Sequence, residues 1–127
     1  ERVTVLASAH TSARQQAQAC RVGREALRLM TLLATRFRDD LVAGIGTVNA
    51  SQIFGNDAYA PTESETTSRN GRARKLRTFS HAGRTMIMEA HLKIGNNPTE
   101  GWRCHFAWIA EEQRIYIGWC GKHLPLR

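Results

Sequence analysis

Two hydrophobic periods divide the chain. In "ARQQAQACRVGREALRLMTLLATRFRDD", residues 13–40, Ala13, Ala17, Cys20, Leu27, Met30, Ala34 and Phe37 recur at helical spacing, widened by Ala26, Leu29 and Leu33. Thr11 and Ser12 stand where a helix N-cap is wanted. Gly23 lowers helix propensity by about 1 kcal/mol relative to Ala, so the pattern predicts either one long bent helix or two short ones. Ahead of it, Val3 and Val5 in "ERVTVLASAH" predict a short strand, and His10 falls before the helix as a capping or surface residue. From residue 75 the period becomes two: "KLRTFS", "RTMIMEAHLKIG", "WRCHFAWI" and "RIYIGWCG" read as strands joined by the turn-like "HAG", "NNPTEG" and "AEEQ". Such short connections predict an antiparallel sheet of about four strands. The fold class is therefore α+β, with the N-terminal strand and the helical segment followed by a sheet packed on the helix stripe. Met86, Met88, Ala90, Leu92 and Ile94, with Cys104, Phe106 and Trp108, are assigned to the helix-facing side.

Between these halves the pattern weakens. "LVAGIGTVNASQIFGNDAYAP" scatters Gly44, Gly46, Gly55 and Pro61 among apolar residues, leaving room for a short helix near residues 50–54. "TESETTSRNGRAR" is polar and turn-prone, so residues 61–75 read as a basic insertion loop, exposed or ordered by a partner. A length of 127 residues with 42% hydrophobic side chains fits a single domain over 1–127.

Charge narrows the partners. Eighteen Lys and Arg against 11 Asp and Glu leave +7, a field that favours polyanions such as RNA or a ribosome. Arg21, Arg24 and Arg28 share one flank of the helical segment with Arg14, and Arg72, Arg74 and Lys75 at the end of the insertion are continued by Arg77 and Arg84, with no acid between Glu65 and Glu89. With Lys122 in the tail, these are the candidate nucleic-acid contacts; the bland alternative is a solvated surface. The three cysteines are widely spaced and form no C-x-x-C pair, which suggests neither a zinc motif nor a disulfide framework and fits a reducing, cytoplasmic setting. No apolar run approaches the length of a membrane span, so no membrane partner is expected.

The candidate chemistry lies on the other side of the sheet. Alternation places Glu89, His91 and Lys93 together, with Arg103 and His105 on the neighbouring strand. The bland reading is a water-facing surface of weak cross-strand ion pairs. A metal held by Glu89, His91 and His105 is disfavoured by the surrounding cations and the absence of a known ligand spacing, so no cofactor is expected. Metal-independent RNA cleavage needs a base for the 2′-OH, cations for the developing phosphoryl charge and an acid for the leaving 5′-oxygen. His91, Lys93, Arg103 and His105, with His123 from the tail, supply those types.

The run "MEAHLKIGNNPTEGWRCHFAWIAEEQRIYIGWCGKHLP" resembles the C-terminal half of bacterial toxins of the RelE/HigB type: Glu89-Ala-His91 on one strand, Trp102-Arg103 on the next, a last apolar strand over Arg114 to Cys120, and a basic tail. The resemblance implies a toxin–antitoxin endoribonuclease acting on mRNA at the ribosome and neutralised by an antitoxin protein. In that case Lys93 and Arg103 stabilise the transition state, and His91, His105 or His123 transfers protons. His91 stands where Arg is commoner in the family, and the related ParE type binds gyrase and cleaves nothing. The competing expectation is a non-catalytic nucleic-acid-binding or protein-interaction module of a bacterial defence or mobile-element system.

Overall fold

The computed structural model describes residues 3–16, 23–95 and 101–126. β1 (Val3–Val5) is followed by α1 (Ala7–Gln16), so His10 lies inside the first helix instead of before it. Ser12, which could have capped a helix, is buried and serves another purpose. Its hydroxyl lies 3.0 Å from the carbonyl oxygens of both Ala9 and Cys120, and it accepts the Cys120 N–H at 2.8 Å. That exchange pins α1 to the last strand. Of the helical pattern, residues 17–22, including Cys20 and Arg21, fall outside the described residues.

The remainder of the pattern forms α2 (Gly23–Leu32), a π-helical turn over Leu33–Phe37 and α3 (Arg38–Val42). Thr31 and Thr35 donate their hydroxyls to the carbonyls of Leu27 and Thr31, drawing backbone acceptors outward just where the helix widens. Ala26, Leu29, Leu33 and Phe37 are buried, as the spacing predicts. α4 (Ala50–Phe54) occupies the stretch where a short helix was expected.

A mixed five-stranded sheet carries the order β1-β7-β6-β5-β2, with β2 Tyr59–Ala60, β5 His91–Ile94, β6 Trp102–Ile109 and β7 Arg114–Lys122. β5, β6 and β7 form the antiparallel meander, while β1 joins the edge parallel to β7. A separate hairpin pairs β3 (Thr78–His81) with β4 (Arg84–Ile87). The segment "RTMIMEAHLKIG" is therefore two strands in two sheets. Between them, Met88 donates its N–H to the Arg77 carbonyl at 2.7 Å and Ala90 accepts the Phe106 N–H at 3.0 Å. This crossing divides the apolar face assigned above. Leu92, Cys104 and Phe106 pack on the helices with Leu29, Leu33, Phe37, Ile53 and Phe54, whereas Met86 and Met88 form a second cluster with Leu6 and Tyr116.

The second sheet face is thus covered. The register between β6 and β7 slips between His105 and Phe106, which pair with Trp119 and Ile117, so Gly118 is the extra residue of a bulge. A Cβ there would sit 2.6 Å from the Phe79 ring and 2.8 Å from Met88 Sδ; only glycine lets the hairpin lie this close.

The polar stretch expected as a loop is helical. α5 (Glu65–Arg69) is capped by Ser64, whose Oγ accepts the Thr67 N–H, and α6 (Gly71–Leu76) by Asn70, whose Oδ1 accepts the Ala73 N–H at 2.9 Å. Thr67, Ala73 and Arg77 turn inward. Among the described residues, no helix is long and apolar enough to cross a membrane.

Candidate functional site

Cross-strand register assembles the core of the site. His91 lies directly opposite His105, and Lys93 opposite Arg103. Antiparallel pleating puts all four on the sheet face away from α2, as the alternation predicts. Their setting is not the open one expected. His91, Arg103 and His105 are buried, and Lys93 is half-buried.

The cover comes from Glu63, Arg77 and the tail. Arg77, expected to follow a phosphate backbone, is 2% exposed. Its Nε is ion-paired with Glu63 Oε2, while Nη1 donates to the Ala73 carbonyl at 3.0 Å and the Pro125 carbonyl at 2.8 Å. A guanidinium so engaged has no face left for a phosphate, which removes Arg77 from the nucleic-acid contacts. The surface arginines differ among themselves too. Arg28 pairs with Glu25 and Arg84 with Glu112, whereas among the described residues no carboxylate pairs with exposed Arg24, Arg72, Arg74, Lys75 or Lys122. Arg21 lies outside the described residues.

Glu89 does not share the imidazole surface. Its Oε1 accepts the Glu63 N–H at 3.1 Å and the Ser68 hydroxyl at 2.6 Å, so it ties the start of α5 to the crossing segment. The Ser68 bond, the Glu63 amide and the nearby Arg74 and Arg77 charges hold its carboxyl below the usual range. The carboxylate that does join the histidines is Glu63, which the sequence reading passed over. One nitrogen of His91, one of His105 and one Glu63 oxygen lie within 4.8 Å of one another.

Both imidazoles are fixed from behind. His91 Nδ1 lies 2.8 Å from the Glu89 carbonyl oxygen and His105 Nδ1 lies 2.9 Å from that of Met88. A carbonyl can only accept, so each Nδ1 carries a hydrogen and the neutral ring keeps its lone pair on Nε2. The rings stand 4.8 Å apart at 34°. Burial, then the proximity of His91, pushes His105 down to about 3, leaving it neutral near pH 7. Burial also lowers His91, opposed by its bond to Glu89 and the charge of Glu63.

Arg103 borders this group. Its Nη1 donates to the Gly95 carbonyl at 2.8 Å and the Trp102 carbonyl at 2.9 Å, and desolvation lowers its affinity for the proton against the favourable charge of Glu63. His123 completes the edge. It is half-buried, its Nδ1 lies 2.6 Å from the Leu124 carbonyl oxygen, and burial followed by Arg103 lowers its pKa. The candidate residues His91, Lys93, Arg103, His105 and His123 are thus gathered near one acid, buried or half-buried and not on an open face. Compared with protein-family models, curated proteins and solved structures, the chain matches none.

His105 has a narrower chemical range than the sequence reading gave it. At 1% exposure it cannot meet a substrate directly, and its ring backs that of His91. Lys93 and His123 are half-buried, and His91, at 7% exposed, is the less deeply covered of the two imidazoles on the strands. Glu63 was legible only indirectly, through Ser64 and Asn70 as cap residues that mark short helices flanked by inward-facing positions.

Proposed function

We propose that the protein is a metal-independent endoribonuclease that cleaves RNA at the edge formed by His91, Lys93 and His123. The observation that carries this reading is the pairing of His91 with His105 and of Lys93 with Arg103 on one sheet face, which brings an imidazole that burial holds toward its neutral form beside two cations. His91 Nε2 takes the proton of a ribose 2′-OH, whose oxygen attacks the adjacent phosphorus. Lys93 and Arg103 balance the charge that develops on the phosphoryl oxygens. The bond to the 5′-oxygen breaks as that oxygen takes a proton from Nε2 of His123 in its imidazolium form, leaving a 2′,3′-cyclic phosphate and a 5′-hydroxyl; because burial and Arg103 lower the His123 pKa, this step is favoured as pH falls. His105 acts as a positioning residue by holding the His91 ring.

The resemblance to RelE/HigB toxins extends this proposal to ribosome-bound mRNA as substrate and to a protein antitoxin as partner. The test is incubation of the full chain with free RNA and with translating ribosomes in chelator. Cleavage is expected, and His91→Ala or Lys93→Ala is expected to lower its single-turnover rate by about 10²–10⁴-fold while RNA binding persists. Intact RNA under both conditions overturns the reading. The burial of Arg103 and His105 favours one competing account, an RNA-binding module without chemistry; salt-dependent binding with no cyclic-phosphate product would establish it.

A further inference from the structure

We infer that Glu63, His91 and His105 form a binding site for a transition-metal ion of the zinc type. The donor set is two imidazoles and one carboxylate, a combination such ions take with the remaining position open to water. The donor atoms lie within 4.8 Å of one another, against the roughly 3.3 Å between donors on a tetrahedral zinc, so small side-chain rotations close the set.

A second feature is independent of that spacing. Each ring's Nδ1–H is committed to a backbone carbonyl, that of Glu89 for His91 and that of Met88 for His105. Metal-binding histidines are held in this way, because it fixes the tautomer and presents Nε2 as the donor. Glu63 is held likewise, by the Arg77 guanidinium on Oε2 and by its own N–H on Glu89, and a carboxylate has lone pairs enough to serve both Arg77 and an ion. The arrangement differs from the Glu89-based set considered from sequence, since Glu89 is spent on Ser68 and the Glu63 amide.

The surroundings select the metal. Arg77, Arg103 and Lys93 lie around the donors, and Glu63 is the one acid among the three. Mg²⁺ and Ca²⁺, which need several anionic or carbonyl oxygens, are excluded by this charge. Zn²⁺, Co²⁺, Ni²⁺ and Cu²⁺ bond to neutral imidazole nitrogen and tolerate it better. Insofar as the endoribonuclease reading holds, occupancy takes the His91 lone pair from the 2′-OH, so the ion inhibits cleavage; metal binding itself does not depend on that reading.

The test uses the full chain, freed of metal by chelator and titrated with Co²⁺. One equivalent is expected to saturate visible d–d bands of tetrahedral intensity, displaced by Zn²⁺ and untouched by excess Mg²⁺. His91→Ala, checked for folding by circular dichroism, is expected to weaken Co²⁺ binding by about tenfold or more. Because substitution of a buried ring can unfold the chain, nitrogen NMR of the unaltered protein supplies the second arm. Zn²⁺ is expected to shift the Nε2 resonances of His91 and His105 and leave those of His10 and His81 in place. Non-saturating titration, unchanged His91 and His105 resonances, or sulfur-to-cobalt charge-transfer bands from a cysteine site each overturn the assignment. RNA cleavage measured separately distinguishes its failure from that of the nuclease reading.

Discussion

Arg77 joins α6 to Glu63 and to the C-terminal tail beside the two histidines. It follows α6, pairs with Glu63 ahead of α5, and donates to the carbonyls of Pro125 and, at 3.4 Å, Leu124 in the tail. Side-chain exposure is 2% for Arg77 and 9% for Glu63, so neither charge has water to fall back on. Removing one partner leaves the other buried and uncompensated, a loss of about 3–5 kcal/mol in typical cases, whereas replacing both with apolar groups of similar volume is often close to neutral. Arg77→Met is accordingly expected to cost about 3–5 kcal/mol in urea unfolding, and Glu63→Met with Arg77→Met to recover most of it. Strict additivity of the two substitutions would show that the pair is not the tether described. Sequence alone pointed the other way at this residue, because an arginine among five other basic residues reads as surface and nothing local discloses a partner fourteen positions earlier.

At the scale of elements, the hairpin of β3 and β4 is docked through Phe79, Met86 and Met88 onto Tyr116 and the bulge at Gly118. The backbone at Gly118 is not in the left-handed region, so the demand there is spatial: a methyl group would meet Phe79 and Met88 well inside contact distance. Gly118→Ala is expected to destabilise by about 1–3 kcal/mol, the usual cost of overfilling a packed site. In a Phe79→Ala background the same substitution should cost much less, and equal costs in both backgrounds would refute the steric account. The strands themselves were legible. Period-two alternation located β3, β6 and β7. What alternation could not reveal was that "RTMIMEAHLKIG" changes sheets at residues 88–90, because a strand that crosses between sheets keeps its extended backbone and apolar composition. That crossing also supplies the Met88 and Glu89 carbonyls that hold the His105 and His91 rings.

Across the whole molecule, +7 is spread unevenly once ion pairs are removed. Arg28 and Arg84 are locally neutralised by Glu25 and Glu112, and Arg77 is internal. Arg72, Arg74 and Lys75 remain as an exposed group on α6, and the Arg74 charge reaches Glu89. Under the proposed RNA-cleaving function, a phosphate chain laid along α6 would pass Glu89, two residues before His91 in the chain. Each phosphate contact on single-stranded nucleic acid contributes about 0.7 to the slope of log affinity against log salt. Replacing Arg72, Arg74 and Lys75 together by Gln is expected to reduce that slope by about 2 and to weaken binding similarly for all RNA sequences. Arg84→Gln, which removes a charge already balanced by Glu112, is expected to change it less. If the triple substitution leaves the salt dependence of RNA affinity intact, the phosphate chain runs elsewhere, and the approach of substrate to His91 along α6 has to be abandoned even if cleavage itself is observed.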